Sequence, residues 1–77
     1  MYTAAQIPQR QRPMSRKELA IAYAPELTVN GAYRRLRTWM SMSRHLMRAL
    51  RRVGYQPGQR MLTGLQVQTI YQFLGEP

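Results

Sequence analysis

Apolar residues recur at helical spacing in four segments of the chain. The first segment has a short apolar face made of Leu19, Ala20 and Tyr23. Pro25 ends this helix near Tyr23, because proline disfavours helical backbone at the residue before it. Ser15 and Glu18 have the spacing of a capping box, in which each side chain accepts a hydrogen bond from the other residue's backbone N–H. The pattern predicts a first helix that begins just after Ser15.

A second helix is predicted from an N-cap at Thr28 to about Met42. Its apolar positions are Ala32, Leu36, Trp39 and Met40. The opposite face carries Asn30, Arg34, Arg37 and Ser41, with Arg35 toward the flank. Asn30 and Gly31 also suit a tight turn, so a start one or two residues later is an alternative.

A third helix is predicted roughly from Ser43 to Val53, with Gly54 as its C-terminal stop. Its inward positions are Leu46, Met47, Leu50 and Val53. The other side carries Arg44, Arg48, Arg51 and Arg52. Like charges at this spacing weaken an isolated helix by a few tenths of a kcal/mol per pair, roughly. An anionic partner or good packing must compensate for this repulsion.

The last helix has a second capping box, at Thr63 and Gln66. Its core face is Val67, Ile70, Tyr71 and Leu74, and Gly75 ends it. Pro57 and Gly58 predict a type II turn before it. The fold class is therefore all-α: a compact four-helix domain over residues 15–77, with a helix-turn-helix-like unit and, as an open option, a short wing-like turn before the last helix.

Residues 1–14 are rich in Gln, Arg and Pro and have no helical or strand periodicity. We expect a flexible basic N-terminal arm. It is either an inert tail or an arm whose Arg10 and Arg12 lie along a nucleic-acid groove.

Charge gives the clearest indication of function. The 77 residues include twelve basic and three acidic ones, for a net charge of +9. No acidic residue lies between Glu26 and Glu76, whereas eight arginines do. Seven of these fall in two short stretches: Arg34, Arg35, Arg37, Arg44, Arg48, Arg51 and Arg52. Such a surface favours a polyanion, an acidic protein or an anionic membrane as partner.

Catalysis is not expected, because no pair of carboxylates can be placed on a shared face. His45 is the only histidine and cysteine is absent, so neither a metal site nor another cofactor is expected. The sequence has no segment of transmembrane length and no signal-peptide pattern. We expect a cytoplasmic protein that does not insert in a membrane.

The stretch Lys17-Glu18-Leu19-Ala20, followed by a turn and Thr28, resembles the helix-turn-helix of MerR-like and excisionase-like proteins. The turn is about two residues longer here. The resemblance implies that the second helix lies in the major groove of DNA. Asn30, Arg34 and Arg37 would then face base edges, since Asn pairs with adenine and Arg with guanine.

The segment from Ser15 to Pro77 also resembles a family of small Bacteroidales domains of unknown function. The resemblance rests on Lys17-Glu18-Leu19-Ala20, on Gly54-Tyr55, and on the ending Leu74-Gly75-Glu76-Pro77. Gly64 departs from the family pattern, which has proline at this first helical position. This departure predicts a weaker start of the last helix, and the resemblance implies no particular activity.

The leading hypothesis is a DNA-binding, transcription-regulatory protein. Base edges would be contacted by Asn30, Arg34 and Arg37, and phosphates by Lys17, Thr28, Arg35, Arg44, Arg48, Arg51 and Arg52. The alternative is a module that docks an acidic protein partner through the arginine face. RNA binding comes third, and a membrane-surface role for the third helix fourth. A homodimer is an open alternative to a monomer.

Overall fold

A computed structural model describes residues 12–77 as four helices and one pair of very short strands. In chain order the elements are β1 (Met14–Ser15), α1 (Arg16–Tyr23), α2 (Val29–Met42), α3 (Arg44–Arg52), β2 (Met61–Leu62) and α4 (Gly64–Leu74). The all-α prediction is confirmed, because each strand has only two residues.

Every helix begins after a hydroxyl residue that caps it. The side-chain oxygens of Ser15, Thr28, Ser43 and Thr63 each accept a hydrogen bond from the backbone N–H three residues later, at 3.0–3.2 Å. Both predicted capping boxes are present. Helix α2 starts directly after Thr28, so the later start is not observed. Helix α4 starts at Gly64 in spite of the missing proline.

The core lies between two helix pairs, α1 with α2 and α3 with α4. Its buried apolar side chains are Leu19, Ala20, Ala24, Ala32, Leu36, Met40, Leu46, Leu50, Leu62, Val67 and Ile70. Trp39, which the sequence places on the core face, is instead 38% exposed. It lies at the edge of the apolar face of α2, where its ring meets Tyr23 edge-on at 6.1 Å between centroids.

The strand pair joins the start of the described chain to the segment just before α4. Met14 pairs with Leu62 and Ser15 with Met61, antiparallel. β2 therefore pairs with β1 and not with a neighbouring hairpin strand, and within residues 12–77 the segment before α4 forms no wing hairpin. Met14, predicted to be the last residue of the arm, lies in β1; residues 1–11 of the predicted arm lie outside the described residues.

Gln66 is a polar side chain inside the core, with 1% exposure. Its Oε1 accepts hydrogen bonds from the backbone N–H of Thr63, at 3.0 Å, and from Nε2 of Gln59. Its Nε2 donates to the carbonyl oxygen of Val53 at 3.1 Å. One amide thus joins the end of α3, the 54–60 segment and the start of α4.

We expect Gln66→Ala to lower the free energy of unfolding by about 2–3 kcal/mol, because it leaves buried backbone groups unpaired and opens a small cavity. Urea denaturation followed by circular dichroism measures this. Gln72→Ala, at an exposed position of the same helix, should stay within about 0.5 kcal/mol of the parent. Equal stability of the two variants would contradict the role given to Gln66.

Tyr23 connects α1 to the end of α4. Its hydroxyl donates a hydrogen bond to the carbonyl oxygen of Gly75, and its ring meets that of Tyr71 edge-on at 6.4 Å. Burial, followed by the nearby Tyr71 and Glu76, raises the pKa of Tyr23 from 10.0 to about 12. Burial and Glu76 also raise the pKa of Tyr71.

This raised pKa predicts a loss of stability at high pH. The unfolded state releases the Tyr23 proton near pH 10 and the folded state only near pH 12, so the contribution of Tyr23 is complete below pH 10 and falls between these values. The stability difference between the parent and Tyr23→Phe should therefore narrow from pH 10 to pH 12. Urea denaturation followed by Trp39 fluorescence measures it, and a difference that stays constant over this range would refute the prediction.

Candidate nucleic-acid interface

The three residues predicted to face base edges lie on the solvent side of α2. Asn30, Arg34 and Arg37 are all exposed, whereas Leu36 and Met40 of the same helix are buried. This arrangement follows from the spacing i, i+4, i+7, which places residues on one side of a helix. We call these three residues the α2 stripe.

The four arginines of α3 form a second set, the α3 stripe: Arg44, Arg48, Arg51 and Arg52. All four are exposed, and α3 packs its other side inward through Leu46 and Leu50. A single residue, Ser43, separates α3 from α2. The arginines in the last turn of α3 lie where the helix dipole favours positive charge, and Arg44 in the first turn lies where it does not.

Arg35 differs from the other predicted phosphate ligands because it already has an anionic neighbour. Its Nη1 lies 3.4 Å from Oε2 of Glu26, with side chains 45% and 64% exposed. Within residues 12–77 this is the one ion pair. The sequence places Glu26 in a turn but does not indicate this contact. The other six arginines of the two stretches therefore have no carboxylate partner in the described part of the chain.

Two of the predicted phosphate ligands, Thr28 and Lys17, lie outside the two arginine stripes. The Thr28 hydroxyl oxygen accepts a hydrogen bond from the Gly31 N–H at 3.1 Å, so it serves first as a helix cap. Lys17 lies on the outer side of α1 beside Ile21, along a shallow apolar depression that also includes Val29. The residues that line this depression belong to β1, α1 and α2, and none belongs to α3.

Arg16 is a basic residue at this surface that the sequence pattern did not indicate. Its guanidinium lies 4.7 Å from the centre of the Tyr33 ring, and the guanidinium of Arg37 lies 5.8 Å from the same centre. Both distances are within cation–π range. The spacing of Arg16 and Ala20 could have indicated this position. Arg16 precedes buried Ala20 by four residues and therefore lies on the inward side of α1.

Almost the whole chain matches one known protein family. Residues 10–77 match the family described as Domain of unknown function (DUF4248). The chain belongs to this family. No curated protein and no solved structure matches it. Within the part of this DUF4248 domain that the structure describes, no helix is long and apolar enough to cross a bilayer, and no three His, Cys, Asp or Glu residues are grouped as a metal site.

The exposed Arg35–Glu26 pair should contribute little to the stability of the DUF4248 domain. We expect Glu26→Gln to change the free energy of unfolding by less than about 0.5 kcal/mol, because water and salt screen exposed pairs. Glu18→Ala is the comparison: it breaks a capping box and should cost about 1 kcal/mol. Thermal denaturation at low and high salt measures both, and a large salt-dependent loss for Glu26→Gln would contradict this assignment.

Proposed function

We propose that this DUF4248 domain binds duplex DNA through α2 and α3. One observation carries the proposal: seven arginines on two consecutive helices are all exposed, and among the residues that the structure describes only Arg35 of the seven has a carboxylate partner. An exposed surface of one sign attracts a polyanion by releasing its condensed counterions. The phosphate backbone of a duplex is such a polyanion, and arginine side chains are among its usual ligands.

We further propose that α1 and α2 act as a helix-turn-helix-like unit with α2 as the reading helix. Two features support this: α1 and α2 pack closely, and the connection between them is short, from Ala24 to Thr28. It is longer than the usual turn of roughly three to four residues. In the major groove, the α2 stripe would present one amide and two guanidinium groups to base edges, which suits adenine and guanine.

In the same proposal the α3 stripe contacts the phosphate backbone. Such contacts supply affinity and orientation without reading sequence. Arg35 and Thr28 would add contacts beside α2, Arg35 by exchanging its partner Glu26 for a phosphate. Lys17 would contact a phosphate only on a part of the duplex reached by the outer side of α1.

DNA binding of this kind predicts a steep dependence on salt. If five to seven phosphates are neutralised, a plot of log K against log salt concentration should have a slope of roughly −4.5 to −6. Fluorescence anisotropy of a labelled duplex at several salt concentrations measures the slope. A slope near zero would overturn the proposal.

Variants separate the two helices in this titration. Arg48→Gln should reduce the steepness of the slope by about 0.9, as expected for the loss of one phosphate contact, and should weaken binding to all sequences alike. Arg34→Ala should instead alter the preference between duplexes that differ in guanine content. Arg60→Gln, which removes a charge outside both stripes, is the matched control and should leave slope and preference unchanged.

The second candidate is a module that docks an acidic protein through the same arginines. It is favoured if a stoichiometric acidic protein copurifies with a chain that has no affinity for DNA. Tighter binding to single-stranded RNA than to the duplex would favour RNA instead. Homodimerisation, the resemblance to Bacteroidales domains, a cytoplasmic location and the absence of enzymatic activity stay predictions.

A further inference from the structure

A cavity of about 330 Å³ lies between α2, α3 and the segment before α4. Its inner wall is apolar: Leu36, Met40 and Leu62 are buried, and Met47 is half-buried. The aromatic rings of Tyr33 and Tyr55 also line it. This volume is at the small end of the range of ligand pockets, roughly 300–1,000 Å³. An apolar cavity with aromatic walls suits a small flat hydrocarbon ring.

Two positive charges lie at this cavity. Arg16 and Arg37 both line it, and both guanidinium groups approach the Tyr33 ring. In the described part of the chain neither forms an ion pair with a carboxylate. Two like charges near one ring repel each other. An anion bound between them is attracted to both, and this attraction outweighs the repulsion. Guanidinium groups bind carboxylates through paired hydrogen bonds.

The outer wall of the cavity is held by hydrogen bonds before any ligand binds. The backbone N–H of Tyr55 donates to the carbonyl oxygen of Leu50 at 3.0 Å. Gln59 accepts from the Gln56 N–H at 3.1 Å and donates to the Met61 carbonyl oxygen at 2.7 Å. Gly58, at φ 84, allows the turn between them. A wall fixed in this way loses little entropy on binding.

We propose that this cavity binds a small aromatic carboxylate. The ring lies against Leu36, Met40 and Met47, and the carboxylate lies between Arg16 and Arg37. This site shares Arg37 with the proposed DNA contacts. Arg16 belongs to neither stripe and contributes to the cavity alone. Its existence does not depend on DNA binding.

The test is a titration of the full chain, isotopically labelled for NMR, with 2-naphthoate. The amide signals of Tyr33, Arg37 and Tyr55 and the methyl signals of Met40 and Met47 should shift together and saturate. The uncharged isostere 2-naphthamide and the ringless anion acetate should each bind at least about tenfold more weakly, because each lacks one half of the recognition.

Two charge-neutralising variants on the same helix complete the test. Arg16→Gln should weaken 2-naphthoate binding about five- to tenfold through the loss of a charge-assisted hydrogen bond. Lys17→Gln removes the same charge from the neighbouring residue, on the other side of α1, and should leave affinity within about twofold. Equal binding of 2-naphthoate and 2-naphthamide, shifts outside the cavity, or equal losses in the two variants would each overturn the proposal. The comparison of the three ligands needs only the parent chain, so it tests the proposal even if Arg16→Gln fails to fold.

Discussion

The hydrogen bonds of the buried Gln66 amide hold together the half of the molecule that follows α3. A polar side chain inside a small core is stable only when its donors and acceptors are satisfied. Here they are satisfied by the end of α3, the start of α4 and the intervening turn. The same amide therefore supports α4 and, through Gln59, the outer wall of the cavity beside Tyr55. The hydrogen bonds of this one side chain therefore fix the relative positions of three segments.

Charge sets a second constraint on the molecule. Helices α2 and α3 bury one side and expose arginines on the other, without carboxylates between Glu26 and Glu76 to balance them. Self-repulsion on such a surface opposes folding. The hydroxyl caps and the close packing of the core offset that cost in the free domain. Any polyanion that covers the arginines removes the repulsion and stabilises the folded state as it binds.

The helices could be predicted from the sequence because their signals are local. Ser15 with Glu18, and Thr63 with Gln66, mark helix starts within four residues, and the structure has both. The strand pair could not be predicted, since two residues show no periodicity. The contact of Glu26 with Arg35 depends on how the turn between α1 and α2 lies against α2, and the contact of Arg16 with Tyr33 depends on how α1 packs on α2. For this reason the exposed stripes were predictable, whereas the cavity was not.

The contacts that close the molecule join residues far apart in the chain. β1 pairs with β2, and the Tyr23 hydroxyl reaches Gly75, 52 residues away. Closing such long loops costs chain entropy, so we expect these contacts to form after the locally capped helices during folding. Weakening them should mainly accelerate unfolding and leave the folding rate little changed. We expect partial opening to begin where β1 meets β2 and where Tyr23 meets Gly75. Helices α2 and α3, which carry the arginines, lie between these contacts in the chain and would open later.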